Sequence, residues 1–230
     1  MGTSSSFGSP KVPRWNAFNR ALDNQLPVER LRVTLFLAGD TGWREALDAP
    51  ALATFANALV EAHGILGDKL AAADRPAAVI AEVVSDARAA LFEETYSAAL
   101  PVAERALRAV LLQTAQGSVP VADASGQEAA DAWERNRGDP SALVQRYIGE
   151  LFGQWAAHVM ARDTARLIDR DAGRSNAEIR ELSRAVSSRV AELAGALSEG
   201  VQPTGIDVAW QRLIGTIFDR GREAEPWHES

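Results

Sequence analysis

The 230-residue sequence contains no cysteine. Disulfide bonds and thiolate metal sites are therefore excluded, and a reducing cytoplasm is the expected location. The chain also has no run of about 18 apolar residues and no apolar secretion signal near its start, so we expect no membrane association. Hydrophobic residues nevertheless make up 47% of the chain, which is enough to bury a core in one substantial domain or two small ones.

Positive charge is scarce as well. The net charge of −7 argues against direct nucleic-acid binding, because that function requires a basic surface. The charge is uneven along the chain, since Lys11, Arg14 and Arg20 are the only charged side chains before Asp23. A basic N-terminal part therefore precedes an acidic remainder.

Patterns that indicate catalysis are also missing. The three histidines, His63, His158 and His228, are dispersed, and no nucleophile elbow, phosphate-binding loop or dinucleotide fingerprint occurs. Asp169 and Asp171 have the spacing that opens a calcium loop, but the third ligand and the glycine of that loop are misplaced. We therefore expect no catalytic residue, no metal site and no cofactor.

From about Pro50 onward, the sequence predicts one α-helix after another. Two serine–glutamate pairs have capping-box spacing, Ser125 with Glu128 and Ser175 with Glu178. The longest predicted helix covers residues 141–170 and carries two adjacent apolar stripes, which favour a central position in a bundle. Those stripes consist of Leu143, Val144, Tyr147, Ile148, Leu151, Phe152, Trp155 and Val159.

Residues 30–37 are ambiguous, because their apolar side chains alternate as in a strand but also fit a short buried helix. No second strand pattern is available for pairing, so helix is favoured. The sequence thus predicts an all-α protein. We expect a flexible N-terminal lead at residues 1–22, a single bundle of about six to eight helices at residues 23–222, and a tail at residues 223–230.

The lead is short of bulky residues and cannot bury enough apolar surface to fold alone. A small residue at position 2 allows removal of Met1, which leaves Gly2 with a free amine. An α-amine has a pKa of about 7.7–8.0, against about 10.4 for lysine, so much more of it is neutral and nucleophilic at pH 7. The simpler interpretation is a frayed terminus of the kind that most domains have.

The first eight residues, Met-Gly-Thr-Ser-Ser-Ser-Phe-Gly, are followed by prolines and Trp15. This start resembles the N-terminus of QatB proteins, which belong to QatABCD-type bacterial antiphage operons. A looser likeness covers residues 147–171, where an aliphatic helix precedes an Arg-Asp pair and a second long helix.

The resemblance implies three partners: an ATPase, a TatD-like nuclease and an enzyme similar to QueC. Relatives of that enzyme use ATP to activate the carboxylate of 7-carboxy-7-deazaguanine, which ammonia then attacks. An enzyme that accepted a protein amine instead would form an amide at Gly2. The recognition lead would then consist of Thr3, Ser4, Ser5, Ser6, Phe7 and Gly8.

Three hypotheses follow for the function. In the first, the chain is a non-enzymatic defence component that binds partners and is modified at Gly2. In the second, it is a structural adaptor in the same assembly, and its unmodified N-terminus is a docking peptide. In the third, it is a carboxylate-dependent hydrolase or nuclease, which requires a cluster of acidic side chains that face inward.

Overall fold

The computed structural model describes residues 13–24, 26–40, 42–91, 97–169 and 175–223. These residues form ten α-helices and one 3₁₀ turn, Pro50–Leu52, with no β-strand among them, so the predicted all-α fold is confirmed. In chain order, α1 to α10 are Pro13–Asp23, Val28–Gly39, Trp43–Leu47, Ala53–Ala71, Pro76–Ala89, Leu100–Ala115, Gly126–Asn136, Pro140–Asp169, Asn176–Leu197 and Ile206–Gly221.

Several predicted elements are confirmed in detail. The helix predicted at residues 141–170 is α8, and residues 30–37 lie inside α2. Both capping boxes form, because the hydroxyl groups of Ser125 and Ser175 accept hydrogen bonds from the backbone three residues later. Each serine backbone N–H in turn donates to the glutamate at that position, which satisfies two otherwise unpaired donors at each helix start.

The N-terminal boundary differs from the prediction. The lead was expected to reach residue 22, but α1 begins at Pro13, and its Trp15 and Phe18 are 1% and 0% exposed. The described residues also include the five-residue helix α3, so they hold ten α-helices where six to eight were predicted. Residues 1–12 and most of the predicted tail, residues 224–230, lie outside the described residues.

Helix α8 lies at the centre of the bundle and packs against α4, α6 and α9. The two predicted stripes along α8 are completely buried. Two glycines on α8 allow α9 to come close. A Cβ atom added at Gly149 would lie 3.0 Å from the carbonyl oxygen of Ala191 on α9. A Cβ atom added at Gly153 would lie 3.0 Å from the Cβ atom of the same alanine. The α8–α9 contact is therefore a close backbone approach along small side chains.

Four aromatic rings form a cluster where α2, α8 and α10 meet. Phe36 comes from α2, Phe152 and Trp155 from α8, and Phe218 from α10. The ring centroids of neighbouring members lie 5.4–6.1 Å apart, within the range that favours aromatic pairing. All four side chains are completely buried, so this cluster joins the three helices.

Glycines at the ends of α2 and α10 bring their backbones against this cluster. A Cβ atom added at Gly39 would lie 2.5 Å from Cζ2 of Trp155. One added at Gly221 would lie 2.5–2.6 Å from three ring atoms of Phe36. Such distances are far below van der Waals contact, so neither position has room for a side chain without movement of a packed ring.

The glycine at the end of α10 gives a direct test of this packing. Gly221→Ala should lower the free energy of unfolding by about 1–3 kcal/mol, because the new methyl group overlaps a ring that is held on several sides. The matched control is Gly64→Ala in α4, where no atom lies within 4 Å of the added Cβ. There, removal of a helix-interior glycine should raise stability by up to about 1 kcal/mol. Urea melts measure both, and a Gly221→Ala variant as stable as the native chain would contradict the account.

Candidate functional site at the base of the N-terminal segment

Helix α1 attaches the N-terminal segment to the bundle through one apolar face. Trp15, Phe18 and Leu22 are buried on this face, with steps of three and four residues, and α1 packs mainly against α2. The rings of Trp15 and Phe18 meet edge to face, with centroids 6.0 Å apart. The guanidinium carbon of Arg162, on α8, lies 4.5 Å from the centre of the Trp15 ring, a cation–π contact that contributes about 0.5–2 kcal/mol.

Asp40 is a second attachment point and lies directly after α2. Its carboxylate accepts hydrogen bonds from Arg14 at 3.0 Å, Arg44 at 3.1 Å and Arg222 at 3.0 Å. Arg14 lies in the first turn of α1, Arg44 lies in α3, and Arg222 directly follows α10. Asp219 extends the network, because it also accepts from Arg44 and Arg222. One carboxylate therefore joins the start of α1 to the end of α10.

The charge state of Asp40 follows from these contacts. Partial burial of the carboxyl raises its pKa, but the hydrogen bond from Arg44, the charge of Arg222 and the hydrogen bond from Arg14 outweigh this effect. The net result is a pKa below the ordinary value for aspartate. The Asp40 hydrogen bond in turn raises the pKa of Arg44. Asp40 is consequently ionised at neutral pH and holds the three guanidinium groups together.

Arg32 fixes the same end of α10 to α2 from inside the protein. Its side chain is buried and donates to the carbonyl oxygens of Gly221 at 2.9 Å and Glu223 at 3.2 Å. A third hydrogen bond goes to Glu29, which also accepts from Arg189 on α9. The carbonyls at a helix end otherwise lack intrahelical partners, so Arg32 caps α10 while its own charge is paired.

The predicted modification site and recognition lead lie outside the described residues: Gly2, Thr3, Ser4, Ser5, Ser6, Phe7 and Gly8. The structure shows instead how the chain is held immediately after them. The residues that hold it were not predicted from the sequence. Trp15, Phe18 and Leu22 gave a usable signal, because they have helical spacing after Pro13. Asp40 gave none, since two of its partners are 26 and 182 residues away in the sequence.

The described histidines lie in separate places. His63 lies inside α4, and its Nε2 atom lies 3.0 Å from the carbonyl oxygen of Gly138. His158 lies against the ring of Trp43, at 5.4 Å between centroids. Burial lowers the pKa of His158, and the charges of Arg105 and Arg162 lower it further.

Acidic side chains and long apolar helices are the remaining candidate features in the described part of the chain. Leaving aside residues 163–169, whose side chains are not described, every aspartate and glutamate in the described ranges is exposed or half-buried, so none of these belongs to the inward-facing cluster that the hydrolase hypothesis requires. No group of three or more His, Asp or Glu side chains that could hold a metal ion occurs among those residues. Within the same ranges, no helix has both the length and the apolar character needed to cross a bilayer.

A groove of about 390 Å³ lies between α4 and α5. Its lining includes the half-exposed Ile65 and the polar side chains of Glu61, Lys69 and Asp86. Lys69 is exposed here, on a different helix from the α1 attachment. The one described lysine therefore belongs to this groove and not to α1, the helix that follows the N-terminal segment.

The chain was compared with protein-family models, with curated proteins and with solved structures. None of them matches it. The likeness of residues 1–8 and Trp15 to QatB proteins therefore stays a prediction.

The Asp40 network should respond to pH in a defined way. Asp40→Asn should lower the free energy of unfolding at pH 7 by about 1–2 kcal/mol, because three arginines lose their shared anion. The pKa of Asp40 is lower in the folded chain than its unfolded value of about 3.9, so the stabilisation is complete above about pH 5. It disappears as pH falls through the folded pKa. Urea melts of the native chain and the variant should therefore converge in acid.

Asp48 provides a control of opposite sign. Burial raises the pKa of Asp48, although the charge of Arg44 partly offsets this effect. Its ionised form therefore costs stability at neutral pH, and the cost vanishes once pH falls below the unfolded pKa. Asp48→Asn should stabilise the protein at pH 7 and have no effect in acid. An Asp40→Asn difference that stays constant from pH 7 to about pH 2.5 would contradict the assignment.

Proposed function

We propose that this chain is a non-enzymatic component of a QatABCD-type bacterial antiphage system, located in the cytoplasm. After removal of Met1, the amine of Gly2 accepts a 7-deazaguanine carboxyl group from a QueC-like partner enzyme. An ATPase and a TatD-like nuclease are the further partners. The observation that carries the proposal is the start of the sequence, residues 1–8 with Trp15, and the anchored helix α1 that follows it.

The reaction is an amide synthesis. ATP activates the carboxylate, and the neutral Gly2 amine then attacks its carbonyl carbon. A C–N bond forms, the C–O bond to the activating phosphate group breaks with its electron pair, and the amine releases a proton to solvent. The protein therefore gains the mass of the acid less one water.

Gly2 suits this role better than a lysine. At pH 7 roughly a tenth of an α-amine with a pKa near 8 is neutral, against fewer than about one in a thousand ordinary lysine side chains. Glycine also has no side chain to obstruct entry into a narrow catalytic pocket. Lys69, the one lysine among the described residues, lies on α4 and is not preceded by the recognition lead.

Intact mass measurement tests the proposal. Protein co-expressed with its genomic neighbours should carry one added deazaguanine acyl group, and fragmentation should place this group on Gly2. The expected stoichiometry is one group per chain, because only one α-amine is present. Loss of the QueC-like gene should restore the unmodified mass.

Three variants serve as controls. Gly2→Trp should block removal of Met1, and one residue inserted before Gly2 should displace the amine, so each should abolish the mass gain. Lys69→Arg keeps the charge and removes the lysine amine, so modification should continue unchanged. An unmodified Gly2 in cells that the operon protects would overturn the proposal and favour the adaptor with a docking peptide.

A further inference from the structure

Ile65 is the most exposed large apolar residue of α4 and lines the groove between α4 and α5. Its side chain is 51% exposed, whereas four other large apolar residues of α4 are completely buried: Phe55, Leu59, Leu66 and Leu70. Val83 of α5 lines the same groove and is half-buried. Much of the remaining lining consists of small side chains, those of Ala58, Ala62, Ala87 and Ala90. The groove therefore has an apolar middle with room for a side chain of a second molecule.

Three charged side chains line the groove on either side of Ile65. Glu61 and Lys69 are each four residues from Ile65 on α4, so they lie about 6 Å before and after it along the helix axis. Helices α4 and α5 are joined by only four residues, 72–75, and so form an antiparallel hairpin. Glu61 lies ten residues before the end of α4, and Asp86 lies ten residues after the start of α5. The two carboxylates are therefore at the same level of the groove.

The order of these charges along the groove is complementary to itself. None of the three side chains forms an ion pair or hydrogen bond with another residue that the structure describes. Two carboxylates lie at one end and an amine at the other, with apolar side chains between them. A rotation of 180° about Ile65 exchanges the two ends, which brings the amine opposite the carboxylates. This is the condition for an isologous contact between two copies of one surface.

We propose that the groove between α4 and α5 is the interface of a twofold homodimer. The second copy lies antiparallel across Ile65, so that the Ile65 side chain of each copy enters the groove of the other. Lys69 of each copy then meets Glu61 and Asp86 of the other copy, which gives the same contacts twice. The dimer is independent of the proposed function, because it involves no residue of the N-terminal segment.

The charges determine the orientation of the two copies. In a parallel arrangement, Glu61 would face Glu61 and Lys69 would face Lys69, and such like-charge contacts cost free energy. Only the antiparallel arrangement pairs opposite charges at both ends. Because one sequence supplies both sides of this match, the pattern favours a second copy over an unrelated protein.

The dimensions of the groove indicate a weak dimer. Its lining extends from Thr54 to Lys69 on α4, which is about 22 Å at a rise of 1.5 Å per residue. Two helices that are each about 10 Å across give a face of about 450 Å² per copy. The total of about 900 Å² is below the roughly 1,600 Å² of stable complexes and within the range of transient ones. The dimer should therefore form at micromolar rather than nanomolar concentration.

Sedimentation equilibrium of the full-length chain tests the interface. Between low and high micromolar concentration, the mean mass should rise from that of one chain towards that of two. Added salt should shift this rise to higher concentration, because it screens the charge pairs. A native chain that stays monomeric throughout the series would overturn the proposal.

Charge reversal tests the pairing directly. Lys69→Glu and the double variant Glu61→Lys/Asp86→Lys should each stay monomeric, because like charges then meet at both ends of the contact. An equimolar mixture of the two variants should form a heterodimer, since opposite charges are restored at both ends, and its formation shows that both variants are folded. A mixture that stays monomeric, or single variants that dimerise like the native chain, would overturn the assignment.

Two further variants separate the groove from general effects of charge and hydrophobicity. Ile65→Ala should raise the dissociation constant at least about tenfold, because the apolar contact is lost from both copies. Its control is Val208→Ala on α10, which removes a 91% exposed apolar side chain outside the groove. Arg180→Glu on α9 changes the net charge as Lys69→Glu does. Both controls should dimerise like the native chain, and an equal loss of dimer in either would contradict the interface.

Discussion

At Gly39 and Gly221, the backbones of α2 and α10 lie directly against the rings of Trp155 and Phe36. This approach brings the end of α10 within reach of α2, and the polar contacts of the region depend on it. Across this close approach, Arg32 on α2 donates to the carbonyl oxygen of Gly221 on α10. The aromatic core thus determines where the flanking segments of the chain leave the bundle.

The contacts at the base of the N-terminal segment differ in strength. Burial of one aromatic side chain contributes about 1.5–3 kcal/mol, whereas an exposed ion pair contributes about 0–1 kcal/mol. Trp15 and Phe18 are therefore the main source of the affinity of α1 for the bundle. The arginines around Asp40 orient its first turn and join it to the end of α10. The chain is therefore held on the bundle mainly by apolar side chains, although the segment that precedes α1 is polar.

Much of the fold was predictable from local patterns. The limits of α8 agree with the prediction within one residue at each end, because its two stripes and its start at Pro140 are encoded within the helix itself. Residues 30–37 were ambiguous because the apolar Val33 and Leu37 lie outside the buried face of α2, whereas the charged Arg32 lies on it, and this obscures the helical period. Helix α1 was not predicted, because the polar residues before Pro13 led to a predicted lead that extended to residue 22 and so included most of α1. The Asp40 network was not predictable, since it depends on tertiary packing between distant segments.

The central claim is that a helical body presents the Gly2 amine to a carboxylate-activating enzyme. A structure of the full chain bound to the QueC-like enzyme and a non-reactive ATP analogue tests this claim most directly. The account predicts that Gly2 lies at the activated carboxylate, that residues 3–8 line the entrance, and that Trp15 remains packed against α8. A complex in which the N-terminus lies outside the catalytic pocket, while other parts of the body make the contact, would contradict it.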